Sequence, residues 1–321
     1  MRFGILTSVE TRHQFFVRAL CEHFDVAAVG YEQTGYSPAT ILPNELRPDE
    51  VCVVKEHFAE RARQEERYLG ATRPSLARGE RSLDTPPPLR GGERSSPGYA
   101  GRCVKGKDHG GTEGRDGGTK ARSDALRNSI PHGALNSDAT LEFLESAGVE
   151  TLVVYGTNLI KEPLLEHFGG RIVNMHLGLS PYYRGTATNF YPLLNEEPEY
   201  VGATIHLIDS GIDSGPIFRH ARPVIVAGDR PHTIGCKAIL AGIEAMIAVL
   251  REFESGQIEP VPQWKVPNAR LYLRRDYHPR QVVELYRKLD GGLISRYVER
   301  ADRVRNRFRL LESASRPLVG V

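Results

Sequence analysis

The sequence lacks several features that mark common protein classes. No stretch of about 18 apolar residues occurs, and the N-terminal MRFGILTSVE enters a strand-like run without the hydrophobic region of a signal peptide. The four cysteines, Cys21, Cys52, Cys103 and Cys236, have no C-x-x-C spacing, which argues against a zinc site and a disulfide framework. We therefore expect a cytoplasmic protein that binds no metal and enters no membrane.

The chain also has little net charge: its positive and negative side chains nearly cancel, which leaves a net charge of +2. This value is too small to indicate a nucleic-acid-binding protein by itself. The charge is uneven, however, because residues 261–321 hold 14 Lys and Arg against 6 Asp and Glu. Such a basic segment is either a solvated helix face or a surface that contacts phosphates.

Alternating strand-like and helix-like segments organise most of the chain. RFGILTS, HQFFVRALCEHF and DVAAVGY predict a βαβ unit, and a helix is expected over about 49–68. Residues 73–122 have few apolar side chains and are dominated by Gly, Arg, Ser and Pro, which predicts a disordered insertion. A basic nucleic-acid-binding arm is the alternative interpretation of this tract.

The α/β alternation resumes after the insertion. A helix capped by Ser137 or Asp138 is followed by strands in TLVVYGTNLI, RIVNMH, YVGATIHLIDSG and GPIFRHARPVIV and by a long helix that ends at Gly256. This pattern predicts a Rossmann-like open, mainly parallel sheet with helices on both faces over residues 1–256. Residues 257–321 are expected to form a small basic C-terminal extension with two helices, Arg280–Leu289 and Leu293–Leu311.

Two polar groups of residues follow strand-like segments. In VNMH the period of two places Asn174 and His176 on one side of a strand end, where open parallel sheets bind ligands. HLIDSGIDSGPI holds His206, Asp209 and Asp213. Taken singly, these are also typical of a hydrogen-bonded strand end and of Asp-Ser-Gly turns.

Together the two groups supply the chemistry of acyl transfer. A carboxylate near an imidazole orients it and favours its protonated form, and a nearby amide can donate to a developing oxyanion. No G-x-S-x-G motif occurs, and no cysteine lies beside these residues in the sequence. Direct transfer between two bound substrates therefore fits better than a covalent acyl-enzyme.

Three segments in this order and spacing resemble the 10-formyltetrahydrofolate-dependent formyltransferase family, namely VVYGTNLIKEPLL, NMHLGLSPYYRG and GATIHLIDSGIDSGPI. The resemblance covers about 151–256 well and the N-terminal βαβ unit loosely. It implies that Asn174 donates to the formyl oxyanion, that His176 is an acid/base or electrostatic partner, and that Asp213 orients the imidazole and a water. It further implies folate binding, mostly through backbone groups, by Tyr155, Gly156, Thr157, Asn158, Leu159, Ile208 and Asp209.

The acceptor side is less defined by the resemblance. Its candidate lining residues are Tyr182, Tyr183, Arg184 and Asn189. Three alternatives stay open: Arg184 can be structural, Asp209 can be a turn carboxylate, and His206 can pack within its strand.

Three departures from the family pattern bear on the acceptor. The loop after His176 reads Leu-Gly-Leu-Ser-Pro instead of Pro-Ser-Leu-Leu-Pro, and TSVETRHQF replaces the glycine-rich phosphate loop of glycinamide ribonucleotide formyltransferases. About 65 residues follow the core, too few for the β-barrel domain of the tRNA enzymes. We expect formyl transfer from 10-formyltetrahydrofolate to a small amine, such as a nucleotide-linked amino sugar. The alternatives are a methionyl-tRNA or glycinamide ribonucleotide formyltransferase, a formyl-folate hydrolase and a non-catalytic folate-binding protein.

Overall fold

The computed structural model describes residues 1–33, 46–71 and 125–312, and the predicted disordered insertion at 73–122 lies outside them. The main sheet consists of β1 Phe3–Thr7, β2 Val26–Glu32, β3 Leu126–Ile130, β4 Thr151–Tyr155, β5 Ile172–His176, β7 Ala203–Leu207 and β8 Ile217–Ala221. A second, two-stranded sheet pairs β6 Tyr183–Gly185 with β9 Arg270–Tyr272. The helices are α1 Thr11–Cys21, α2 Pro48–Leu69, α3 Asp138–Ser146, α4 Leu164–His167, α5 Tyr191–Leu194, α6 Pro231–Glu254, α7 Pro279–Asp290 and α8 Leu293–Val304.

The main sheet has the strand order β3-β2-β1-β4-β5-β7-β8. The first five strands are parallel, whereas β7 and β8 are antiparallel to their neighbours. This confirms the predicted Rossmann-like, mainly parallel α/β fold. The carboxyl ends of β4 and β5 lie side by side at one edge of the sheet, which is where open α/β sheets bind ligands.

Helices cover both faces of this sheet because its strands are apolar on both sides. In β4, Val153 belongs to the apolar cluster beneath α1 and α6, while the next residue, Val154, belongs to the cluster on the opposite face with Leu144 of α3. Successive side chains of a strand point to opposite faces, so the continuous apolar run in β4 serves two cores.

Helix α6 is long and apolar enough to cross a membrane by length and composition alone. The core helix of a globular fold passes the same test, and 72% of its most apolar window is buried here. A Cβ added at Gly242 would lie 2.8 Å from the Cβ of Ala203 and 2.9 Å from the sulfur of Met175. Helix α6 therefore packs closely across β5 and β7, which accounts for its apolar sequence.

The C-terminal extension packs onto the loop that follows β5. Tyr183 from that loop shares a buried cluster with Leu285 of α7 and Tyr297 of α8. The prediction of a helix over Leu293–Leu311 is wrong at its end, because α8 stops at Val304. The chain then runs back along β8, where the His220 amide donates to the Leu311 carbonyl at 2.7 Å and the Leu311 amide to His220 Nδ1 at 3.0 Å.

Candidate active site

Four polar residues meet on the paired strands β5 and β7 and on the loop that follows β7, and we call them the polar cluster: Asn174, His176, His206 and Asp213. The antiparallel register of β5 and β7 places Asn174 opposite His206. Asp213 comes from the loop between β7 and β8, and its carboxylate lies within 4 Å of both imidazoles. The structure thus brings together the three residues predicted to be catalytic.

The amide of Asn174 is held by His206. His206 Nδ1 lies 2.7 Å from the Leu207 carbonyl, which can only accept a hydrogen bond, so Nδ1 is the donor. Asn174 Nδ2, which can only donate, lies 3.0 Å from His206 Nε2, so Nε2 accepts from it. One N–H of the amide is used in this way. The second N–H remains for a ligand, because Asn174 is only half-buried.

His176 is enclosed more completely than Asn174. Its Nε2 lies 3.1 Å from the Tyr183 carbonyl and 3.3 Å from the Thr188 hydroxyl, which itself donates to the Leu177 carbonyl. Nε2 is therefore a donor, which leaves Nδ1 facing the Asp213 carboxylate at 3.3 Å. Burial lowers the pKa of His176, and the Asp213 charge opposes that shift.

Asp213 is the anion of the polar cluster. Burial by itself would raise the pKa of its carboxyl, but His176, His206 and the Gly185 amide outweigh burial and lower the pKa on balance. The Gly185 amide donates to Asp213 Oδ2 at 2.9 Å. The carboxylate is therefore ionised at neutral pH and favours a proton on His176 Nδ1.

The predicted folate loop, residues 155–159, is exposed at its tip and buried at its root. The Tyr155 ring packs in the core, and its carbonyl accepts from the Thr7 hydroxyl at 2.7 Å. Gly156 has φ +68°. Leu159 is 50% exposed. Residues 156–159 thus offer mainly backbone groups and one apolar side chain to a ligand.

The buried carboxylate of Glu32 binds the 155–159 loop through Asn158. Glu32, at the end of β2, accepts from the Asn158 backbone amide at 2.8 Å and from Asn158 Nδ2 at 2.7 Å. Asn136 binds the loop from the other side, donating to the Leu159 carbonyl at 2.9 Å and accepting from the Lys161 amide at 2.7 Å. The loop is fixed in position without using its exposed face.

The other two predicted folate residues, Ile208 and Asp209, follow β7. The Ile208 amide extends the pairing with β5 by donating to the Ile172 carbonyl at 2.9 Å. Asp209 Oδ1 accepts from the Gly211 amide at 3.0 Å and the Ser214 hydroxyl at 2.7 Å. Asp209 is thus a turn carboxylate in this structure, the alternative that the sequence left open.

The tyrosines predicted to line the acceptor side pack against the C-terminal extension. Tyr182 and Tyr183 are buried, and the Tyr182 hydroxyl donates to the Arg309 carbonyl at 2.9 Å. The Tyr183 hydroxyl donates to Glu197. Their hydroxyls are therefore engaged within the protein, and Tyr183 reaches the polar cluster through its carbonyl.

Arg184 and Asn189 complete the predicted acceptor side. Asn189 Oδ1 accepts from the Gly202 amide at 2.9 Å, which ties it to the backbone. Arg184 is half-buried, and its Nε has no hydrogen-bond partner. Its positive charge contributes to lowering the pKa of His176. Asn189 Nδ2 is likewise buried without a hydrogen-bond partner, and of the four predicted residues Arg184 is the one that carries a positive charge.

Sequence reasoning named His206 in the second polar group but gave it no role in the site, and it missed Glu32. His206 lies in the G-x-T-x-H stretch and shares a strand face with Thr204, so a period of two could have paired it with Asn174. Glu32 gave no such signal, because its partner Asn158 is 126 positions away. Across residues 1–33, 46–71 and 125–312, no group of three or more His, Cys, Asp or Glu could hold a metal ion.

Comparison with known proteins found a matching family model and similar relatives. The family model for formyl transferase matches residues 119–250. The methionyl-tRNA formyltransferase from Thermodesulfovibrio yellowstonii is 34% identical over 131 residues, which cover 40% of this chain and 42% of that protein. The methionyl-tRNA formyltransferase from Kosmotoga olearia is 37% identical over 111 residues, which cover 35% of each protein. The chain thus matches less than half the length of these relatives.

Among solved structures, the phosphoribosylglycinamide formyltransferase from Anaplasma phagocytophilum is similar with a TM-score of 0.48 and 11% identity, covering 85% of this chain and 98% of that one. The matched segment of the family model, 119–250, contains Asn174, His176, His206 and Asp213. Residues 119–250 are thus similar to the formyl transferase family.

Proposed function

We propose that this protein transfers a formyl group from 10-formyltetrahydrofolate to an amine of a small acceptor, and that it does so in the cytoplasm. The observation that carries the proposal is the arrangement at Asn174. One amide N–H is fixed on His206 at 3.0 Å, and the half-buried side chain leaves the other for a ligand. A donor held in this way can stabilise negative charge without reorganising.

The polar cluster fits the electrostatics of the reaction. When an amine attacks the formyl carbon, negative charge grows on the formyl oxygen, and the free N–H of Asn174 can donate to it. His176 is enclosed on both ring nitrogens. Its role is therefore to hold the Asp213 carboxylate in place, without direct contact with the formyl oxygen.

The bond changes balance within the two substrates. A C–N bond forms between the amine and the formyl carbon, and the bond from that carbon to the folate nitrogen breaks. One proton leaves the amine and one reaches the departing nitrogen. A water held by the Asp213 carboxylate beside His176 Nδ1 can relay the proton between the two nitrogens.

The residues of the 155–159 loop fit the folate. Exposed backbone at 156–159 offers donors and acceptors for a pterin edge, and Leu159 offers an apolar contact for its ring. Glu32 and Asn136 engage the Asn158 amide and the Leu159 carbonyl and so fix the loop, and the backbone of Gly156 and Thr157 is the part that we propose meets the ligand.

For the acceptor we propose a small amine such as a nucleotide-linked amino sugar. Two observations support this. Helices α7 and α8 pack onto the loop after β5 in one apolar cluster. Arg184 on that loop forms no ion pair within the described residues, and its Nε has no hydrogen-bond partner. Methionyl-tRNA is the second candidate, since the matching relatives are named for that substrate.

A substrate panel tests the proposal. The purified protein is incubated with 10-formyltetrahydrofolate and, separately, amino-sugar nucleotides, glycinamide ribonucleotide, methionyl-tRNA and buffer alone, while release of tetrahydrofolate is followed. Release with an amino-sugar nucleotide supports the proposal in full. Release with another amine corrects the acceptor, and formate release in buffer alone identifies a hydrolase. Folate binding without turnover in any of these incubations contradicts the proposal that the protein is an enzyme.

A further inference from the structure

A side chain of the C-terminal extension, Gln263, contacts the loop that carries Asp213 of the polar cluster. Gln263, which lies between α6 and β9 outside the segment matched by the family model, donates from Nε2 to the Asp213 carbonyl at 2.7 Å and to the Gly215 carbonyl at 2.9 Å. A primary amide nitrogen has two N–H groups, so Gln263 uses its full donor capacity on this loop.

The backbone that Gln263 binds is strained. Asp213 has φ +46°, in the left-handed region that residues with a Cβ adopt only at a cost. Such a conformation persists only where surrounding contacts impose it. Gln263 contacts the carbonyl of Asp213 itself and that of a second residue in the same loop.

The segment that carries Gln263 is itself fixed. Val261 and Ile217 exchange backbone hydrogen bonds of 2.8 Å in both directions, so the extension begins by pairing with the start of β8. The side chain of Asp213 is held independently, by the Gly185 amide at 2.9 Å. Gly185 belongs to β6, which pairs with β9 of the extension. The extension therefore holds Asp213 from two directions.

We propose that Gln263 is a positioning residue for formyl transfer, which fixes the backbone of Asp213 so that the carboxylate stays against His176. This inference rests on the proposed function for its effect on turnover. Its effect on the geometry of the polar cluster is independent of any substrate.

The test compares Q263M with Q257M in the full chain. Methionine keeps the length of glutamine and removes both donors, and Gln257 is an exposed residue of the same segment, so Q257M is the matched control. A misplaced catalytic group is costly, so we expect kcat of Q263M to fall about tenfold or more, with an unchanged KM for formyl-folate and an unchanged Tm.

A second measurement needs no turnover. The imidazole resonances of His176 are titrated by NMR in the substrate-free protein, with H176Q to assign them. The Asp213 charge raises the pKa of His176, whereas His206 and Arg184 lower it. If Asp213 moves away in Q263M, His176 must titrate at lower pH than in the wild type. Q263N, which withdraws the amide by one methylene, is expected to shift it in the same direction.

The double variant separates positioning from a general structural effect. In a D213N background, Q263M should change neither kcat nor the His176 titration further. Wild-type values of both quantities in Q263M, or an equal effect in the presence and absence of the Asp213 carboxylate, would overturn the inference. A wild-type protein that transfers no formyl group contradicts the proposed function instead, because the His176 titration is read without substrate.

Discussion

The polar cluster and the folate loop lie at the same edge of the sheet but are held in different ways. The members of the polar cluster contact one another, through distances of 3.0 Å from Asn174 to His206 and 3.3 Å from His176 to Asp213. The loop is held from outside, by Glu32 and Asn136. Fixed charges serve a reacting centre, whereas an exposed backbone serves recognition. Changes in the two regions should therefore have separable effects.

The largest effect is expected in the polar cluster. N174A removes the N–H that we propose donates to the formyl oxygen, so kcat/KM for formyl transfer should fall by about 10²–10³, the loss typical of one oxyanion donor. Initial rates at saturating and limiting formyl-folate measure it. The exposed Asn306 supplies the control N306A, which should keep wild-type rates. An N174A enzyme within twofold of wild type would remove Asn174 from the mechanism.

A third imidazole, His220 on β8, lies outside both regions; it is buried and accepts a hydrogen bond from the Leu311 amide. Burial lowers its pKa to about 4. In the unfolded chain it protonates near pH 6.5, so its neutral form adds stability above that pH, and this stability is lost as pH falls from 6.5 toward 4. We expect H220Q to reduce the pH slope of the unfolding free energy there by about 1.4 kcal/mol per pH unit. Urea denaturation at several pH values measures it, and an unchanged slope would contradict it.

In the loop region, E32Q should affect binding and leave chemistry intact. Glutamine can accept from only one of the two Asn158 donors, and its own N–H groups face the other, so the loop loses its fixed position. We expect KM for formyl-folate to rise about tenfold with kcat unchanged. The control E142Q changes an exposed carboxylate on α3. A fall in kcat without a change in KM would show that the two regions do not act separately.

The smallest effect is expected at Thr157. Its hydroxyl donates to the carbonyl of the next residue, Asn158, at 2.8 Å. Because this bond is local and exposed, T157A should change the unfolding free energy by less than about 0.5 kcal/mol and KM for formyl-folate by less than about twofold. A large rise in KM would mean that the side chain, and not the backbone, binds the folate.

Local sequence patterns predicted six of the seven strands of the main sheet, the long helices and the positions of Asn174 and His176, but not β3, β6, β9 or the short helix α5. The alternation in VNMH and the apolar runs depend on neighbouring residues only, and the structure confirms them. The contacts of Glu32 with Asn158 and of Gln263 with Asp213 join positions 126 and 50 apart. Such contacts depend on how the chain returns to the same edge, so no local pattern could predict them. The early end of α8 depends in the same way on a distant partner, His220.

The fate of a ¹³C-labelled formyl group tests the central claim most directly. The protein is given 10-[¹³C]formyltetrahydrofolate with the accepted amine, and ¹³C NMR follows the label in wild type and N174A. The account predicts that the wild type moves the label to a formamide on the acceptor, and that N174A does so about 10²–10³ times more slowly. Label that stays on the folate, or appears only as formate, in the wild type would contradict it.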